Sequence, residues 1–307
     1  MQFGAQLGNY GTRWSDIRST VSALEAGRWN SVWFSDHFMP PGNPQAGHGP
    51  ALEGWTLLTA VATVTERLRL GVLATGNTYR NPALLAKMTA TLDAMATGRA
   101  ILGIGAAWHE REHEAYGWDF PSLKERSDRL EEACALIRAL LRADGPVNFE
   151  GHYYQLKNAP FAPRQSGQQP IPIMVGGGGE KRTLRTLAKY GDIMNVGGSP
   201  AVLRQKIEVL ERHCADVGRD PAEISKTAFM VVALQDDEAK AERLRQTFAP
   251  QASDEERAQM AIGNAEHVIS VIRAYEEAGA DQAIFQSIPN NPRLYARLDA
   301  EVLAAFD

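Results

Sequence analysis

Three clusters in this chain have residue types and spacings that can do chemistry, and a looser set of rings accompanies them. The first is Asp36-His37, a carboxylate beside an imidazole. Histidine titrates near neutrality and a carboxylate can fix its orientation, so His37 and Asp36 read as candidate catalytic acid/base groups. Adjacent strand residues point to opposite faces, so only one of the two faces a common site unless the chain turns there. The second is Gly176-Gly177-Gly178-Gly179, followed by Glu180-Lys181-Arg182. Glycine lets a ligand approach the main chain, and a helix opening there presents unpaired N–H groups and a positive dipole end. With the two cations this predicts an anion site, best suited to a phosphate.

The third is His109-Glu110-Arg111-Glu112-His113, an H-E-x-x-H match. On a helix it would set two imidazoles on one face for zinc, with the glutamate as base, which makes a zinc hydrolase an alternative. The context is poor. The motif follows a glycine-rich segment rather than opening a long apolar helix, and a metzincin's next glycine and third ligand fall on Tyr116 and Asp119. The expectation is a short polar helix over the site, with no metal. Among the aromatic rings, Trp55, Tyr79, Trp108 and Trp118 are suited to lining a pocket for a planar ligand. Of these Tyr79 and Trp108, with His109, are the candidate substrate contacts. There is no G-x-S-x-G, no Walker A, and no pair of strand ends with the facing carboxylates of a glycosidase.

These residues need a frame. Apolar runs alternate with helical patterns, predicting strands at Gln2–Leu7, Ser31–Ser35, Leu68–Thr75, Ala100–Gly105, Ile171–Val175, Asp192–Val196, Lys226–Leu234 and Gln282–Gln286. The predicted helices are Asp16–Gly27, Trp55–Arg67, Pro82–Met95, Leu123–Leu141, Glu180–Lys189, Pro200–Val217, Glu266–Ala278 and Arg293–Phe306. Alternation of this kind means parallel strands with helical crossovers, and eight units predict a closed (β/α)8 TIM barrel, class α/β, rather than an open sheet with a G-x-G-x-x-G turn. A barrel builds its site at the carboxyl ends of the strands, where Asp36, Thr75, Ala106, Gly176 and Asn195 all fall. Gly27, Gly191, Gly218 and Gly279 read as left-handed helix caps. The loop Asp36–Gly54, a hairpin in Val147–Pro170 turning at Glu150-Gly151, and a polar, mobile region Ala249–Gly263 stand outside the alternation. Residues 1–307 read as one barrel domain, with the insertion near 145–170, between strands four and five.

Composition narrows the function. The chain has 307 residues, 44% hydrophobic and 22% charged, with a formal net charge of -5. That balance offers no footprint for nucleic acid or an anionic membrane. No apolar run reaches the roughly 18 residues of a membrane span. The start has no signal-peptide pattern, and Cys134 and Cys214 lie far apart outside any CxxC. A cytoplasmic enzyme acting on a small molecule is the expectation.

The motifs together resemble the luciferase-like monooxygenase superfamily of flavin- and deazaflavin-dependent oxidoreductases, and more narrowly its users of coenzyme F420. The resemblance is carried by Ser35-Asp36-His37-Phe38, Gly71–Pro82, Asp93–Arg99, Gly103-Ile104-Gly105-Ala106-Ala107-Trp108, Glu125–Glu132 and Gly176–Gly179. It implies a ring system in the barrel mouth with its phosphate at the glycine turn. Asp36 would contact the ring edge, and Ala74-Thr75-Gly76 would back the ring at a bulge that often holds a non-proline cis peptide. Asn77, Ala106, Asn195 and Val196 would line the cofactor, and His37 would face the reacting carbon. It also implies a homodimer. In one respect the chain departs: sugar-phosphate dehydrogenases of this family carry a glutamate after the Gly-x-Gly of strand four, where this chain has Ala106.

The function so implied is hydride transfer between F420 and an activated C=C, C=N, carbonyl or alcohol, with the protein positioning the reactants and excluding water. An FMN-dependent monooxygenase is the alternative within the same fold. A non-catalytic flavin-binding partner protein is a further one, against which the intact Asp36-His37 pair argues.

Overall fold

Each strand of the main sheet lies parallel to its neighbours, and the last meets the first. The computed structural model describes residues 1–40, 49–164, 169–286 and 289–306. In chain order the elements are β1 (Gln2–Gln6), α1 (Trp14–Ala26), β2 (Ser31–Phe34), α2 (Gly54–Ala62), β3 (Arg69–Val72), α3 (Pro82–Met95), β4 (Ala100–Gly105), α4 (Glu110–Tyr116) and α5 (Leu123–Arg142). They continue with β5 (Ile173–Gly176), α6 (Thr183–Tyr190), β6 (Ile193–Gly197), α7 (Pro200–Val217), β7 (Ser225–Leu234), α8 (Glu238–Phe248), α9 (Asp254–Ala258), α10 (Ala265–Glu277), β8 (Gln282–Gln286) and α11 (Pro292–Glu301). Registers such as Gly4↔Ser31, Leu102↔Ile173, Ser225↔Ile193 and Gln2↔Gln282 close the ring as the (β/α)8 barrel the alternation predicts. Between β4 and β5 an antiparallel hairpin pairs Val147–Glu150 with Gln155–Ala159. Its turn is held by Glu132, which accepts the N–H groups of His152, Tyr153 and Tyr154. The rest of the expected insertion includes 165–168, and the loop Asp36–Gly54 includes 41–48; those residues lie outside the described ones.

Period-two alternation sorts the strand residues. Along β2, Val32 and Phe34 face the helices, while Trp33 points into the barrel. There Trp33 packs with Ile101, Met174, Ile193 and Ile284 to fill the interior, and Leu73 and Phe229 lie against that plug. Its indole N–H donates to Ser31 Oγ at 2.7 Å, and Gln282 donates to the same oxygen. Room for the indole comes from Gly71 on the neighbouring strand, where a Cβ would sit 2.2 Å from the ring.

Several boundaries differ from expectation, each for a local reason. Strand three is interrupted: after β3 comes a cis peptide bond between Leu73 and Ala74, then a second short strand, Thr75–Gly76. The second helix ends at Ala62 because β-branched Thr63, Val64 and Thr65 follow it. Of the four capping glycines, Gly218 (φ +68°) and Gly279 (φ +102°) have positive φ. Gly27 and Gly191 do not, and are required by space instead: a Cβ would collide with Asp299 and with Leu187 respectively. The region Ala249–Gly263 carries regular structure of its own. It holds α9, capped reciprocally by Ser253 and Glu256, and a strand Ala261–Gly263 that extends the sheet beside β7. No helix among the described residues is long and apolar enough to cross a membrane.

Gly71→Ala is expected to lower stability by about 1–3 kcal/mol, the usual cost of overpacking a filled interior. Equilibrium urea unfolding measures it, and an unchanged midpoint would show that the Trp33 plug yields.

Candidate active site

A cavity of about 500 Å³ opens at the carboxyl ends of the strands, directly above the plug. Each strand end contributes to it. Gln6 ends β1 and Leu7–Tyr10 follow it, Ser35–His37 follow β2, and Leu73–Gly76 form the interrupted end of strand three. Gly105–Trp108, Gly176–Gly177, Asn195, Phe229 and Gln286 come from the later strands, with Tyr79 and Thr183 between them. The wall is mostly apolar, as expected of a pocket for a flat organic ring.

One buried carboxylate organises the rim. Glu112, on α4, accepts a hydrogen bond from His37 Nδ1 at 3.1 Å, from the N–H of Phe38 at 2.6 Å, from the N–H of Met39 at 3.2 Å, and from the Tyr79 hydroxyl. Burial by itself raises the Glu112 carboxyl, but the bonds from His37 and Tyr79, the charge of His37 and the Phe38 N–H together hold it below its ordinary range. A carboxylate can only accept, so His37 carries its proton on Nδ1 when neutral and leaves Nε2 as its acceptor. The ring sits at the cavity wall against Trp108, with centroids 5.2 Å apart. Helix α4 is pinned in turn by aromatic contacts of Phe38 with Tyr79, Tyr116 and Trp118. It ends on Gly117 in the left-handed conformation.

Asp36 takes a different partner. Its Oδ2 accepts from Arg80 at 2.7 Å, and Arg80 also donates to Glu53 at 2.7 Å. Its Oδ1 is buried with no hydrogen bond. Burial raises the Asp36 carboxyl to about 6, and Arg80 only partly offsets this. The chain turns after β2, which is the condition under which Asp36 and His37 can both reach the cavity, and both do. The carboxylate that orients His37 is therefore not its neighbour but Glu112, remote in sequence. The sequence places Glu112 in the short polar helix expected over the site, but nothing in the HEREH segment singles it out as the partner of His37.

The zinc alternative loses its ligands. His113 donates from Nδ1 to the carbonyl of His109 and accepts at Nε2 from Thr78, while Glu110 is exposed. His37, His109 and Glu112 do bring ligand-type atoms within 4.8 Å of one another, but both Glu112 oxygens are already saturated by hydrogen bonds.

Of the anticipated site residues, Asp36, His37, Ala74, Thr75, Gly76, Ala106, Gly176, Gly177, Asn195, Tyr79 and Trp108 line the cavity. Gly178 and Gly179 lie beyond its edge, and Val196 is core. Asn77 faces an adjacent polar cleft, where it donates to Tyr154. His109 stands against Trp108, its Nδ1 buried without a hydrogen bond and 3.9 Å from Glu112; burial lowers its pKa and Glu112 opposes that. At the glycine turn Gly177 has φ +118°, a conformation only glycine adopts readily. The helix opens at Thr183, three residues later than expected. Its cations are placed otherwise than the sequence implied: Arg182 is held by Asp128, and Lys181 lines a separate cleft with Arg212 and His213. The unanticipated cation here is Lys206 of α7, whose Cε lies 3.5 Å from where a Cβ on Gly178 would stand. Gln6, Asn9, Tyr10, Phe229 and Gln286 were also not anticipated, because single polar or aromatic residues at strand ends carry no motif.

Comparison with known proteins places this geometry. The family model described as luciferase-like monooxygenase matches residues 1–259. The chain is 33% identical over 242 residues to the F420-dependent glucose-6-phosphate dehydrogenase of Amycolatopsis mediterranei, spanning 76% of this chain and 69% of that one. It is 37% identical over 216 residues to the phthiodiolone/phenolphthiodiolone dimycocerosates ketoreductase of Mycobacterium sp. (strain JLS), spanning 66% of this chain and 55% of that one. Among solved structures, an F420-dependent secondary alcohol dehydrogenase in complex with an F420-acetone adduct superposes with a TM-score of 0.85 at 23% identity, covering 100% of this chain and 99% of that one.

The raised Asp36 carboxyl has a consequence for stability. Its folded form binds a proton more tightly than the unfolded chain, so its contribution is fully present below about pH 4 and is lost as pH rises through about 6. Relative to Asp36→Asn, the wild type should lose of the order of 2–3 kcal/mol between about pH 4 and pH 7, at about 1.4 kcal/mol per pKa unit. Urea unfolding of both proteins across that range tests this; parallel curves would place Asp36 at an ordinary pKa.

Proposed function

The chain belongs to the luciferase-like monooxygenase family, and on that footing we infer that it is an oxidoreductase using coenzyme F420 with a small organic substrate. The observation that supports this most is the likeness to an F420-dependent dehydrogenase across more than two thirds of each chain. The cavity fits the group. Asp36 Oδ1, buried and unpartnered, suits a ring N–H or O–H donor. Ala74, Thr75, Gly76, Ala106 and Asn195 supply the walls, and the main chain at Gly177 with Lys206 nearby suits an acidic tail.

Bound F420 supplies a two-electron hydride donor or acceptor. The protein's part is to hold substrate against it, exclude water and manage the proton. Glu112 fixes His37 through Nδ1, and Nε2 then gives or takes the proton at the substrate heteroatom. Tyr79 and Trp108 border the substrate side of the cavity. A homodimeric, cytoplasmic enzyme is part of this reading; the dimer rests on the family resemblance and the compartment on the composition and cysteine usage.

Fluorescence titration with F420 and with FMN tests the coenzyme: saturable binding of F420 and weak binding of FMN are expected, and the reverse would make the protein an FMN monooxygenase. His37→Ala should keep F420 affinity and lower turnover by roughly 10²-fold. Unchanged turnover would remove His37 from the mechanism.

A further inference from the structure

The charges around the cavity are unevenly placed. No lysine or arginine is among its described lining residues. The segments 41–48, 165–168 and 287–288 contain none either. Near the glycine turn Lys206 stands ready, although its ammonium also holds Glu180 at 2.7 Å. At the opposite end, around His37, Arg80 stands beside the wall, ion-paired with both Asp36 and Glu53. Two buried carboxylates, Asp36 and Glu112, stand at this end, and Leu7, Leu73, Ala107, Trp108 and Phe229 supply apolar wall. A phosphate or carboxylate on the substrate would have to give up water here, would meet no lysine or arginine among the described lining residues and would stand beside the Asp36 carboxylate. Ala106 adds a methyl group, not a carboxylate, to the same wall.

We propose that the substrate of this enzyme is an uncharged carbonyl compound or the corresponding alcohol, with apolar substituents, and that phosphorylated and carboxylated molecules are excluded by the electrostatics of the His37 end. The proposal deepens the F420 reading and rests on it. In the reducing direction the carbonyl carbon gains a C–H bond from the hydride as its π pair moves to oxygen, and the oxygen takes the proton from Nε2 of doubly protonated His37, which is left neutral with its Nδ1 proton hydrogen-bonded to Glu112. The carbonyl is thereby reduced to the alcohol and the coenzyme oxidised; an alcohol runs the same steps in reverse.

The test uses the F420-loaded protein and matched pairs: cyclohexanone against 4-oxocyclohexanecarboxylate, and glucose against glucose 6-phosphate. Binding is read by thermal shift and kcat/KM by F420 absorbance. The neutral ketone is expected to bind and turn over, with its carboxylate analogue at least 100-fold weaker in kcat/KM and without a thermal shift, and glucose 6-phosphate inert. Trp108→Arg, which adds a cation at the rim, should narrow the neutral-to-anion ratio at least tenfold. Equal or better use of either anion would overturn the proposal, as would loss of both neutral compounds while F420 still binds. Failure to bind F420 would instead sink the coenzyme reading, so the two failures are distinguishable.

Discussion

The rim of this barrel depends on keeping one carboxylate ionised in a place without water. Glu112 is fully buried, and an isolated charge there would be costly. It is tolerated because two main-chain N–H groups, an imidazole and a phenol all donate to it. The same bonds do structural work in the other direction. They tie the turn after β2, the segment after strand three and helix α4 to one atom pair, and so set where His37 stands. Removing a partner would leave a buried charge short of a donor, which costs far more than a single hydrogen bond contributes.

Below the rim, the constraint is volume. A barrel of eight strands has an interior just wide enough to be filled by side chains. Here one indole takes much of that space, and glycine on the adjacent strand makes way for it. The plug gives the cavity a rigid floor through Leu73 and Phe229, which touch both the plug and the open space. Floor and rim are thus fixed independently, one by packing and the other by hydrogen bonding, and the cavity between them is preformed.

Much of the barrel was legible because its signal is repeated. Eight short apolar runs, each followed by an amphipathic segment, leave few topologies, and strands such as Ala100–Gly105 and Gln282–Gln286 fall where the pattern places them. The active-site geometry was less legible because it is not local. Asp36 and His37 are adjacent, which suggests a pair, yet a turn sends each to a partner elsewhere: Arg80 for one, Glu112 for the other. The HEREH segment has the letters of a metal site, but helix direction puts Glu110 in solvent and Glu112 inward. Lys181 and Arg182 look like an anion clamp only until the late start of α6 turns them toward other partners. In each case the residue types were right and the pairing was decided by tertiary contacts that no short window contains.

That distinction bears on how far a relative's name carries. Proteins of comparable likeness to this chain are named for a sugar phosphate in one case and a dimycocerosate ketone in another, so overall identity does not choose between substrates. The barrel is a shared feature of architecture and says nothing about charge. Charge preference is set by which side chains the strand ends present, and by how the cations nearby are already committed. Arg80 illustrates the point. By type and position it could bind an anionic substrate, but its guanidinium is divided between Asp36 and Glu53 at 2.7 Å each, and a substrate anion would have to displace a buried carboxylate to reach it. Since Asp36 is already strained toward its neutral form by burial, adding a second anion beside it would raise that tendency further. The arrangement that keeps Asp36 in place therefore also works against a charged substrate, and selectivity of this kind follows from the site's internal ion pairing with no dedicated gate.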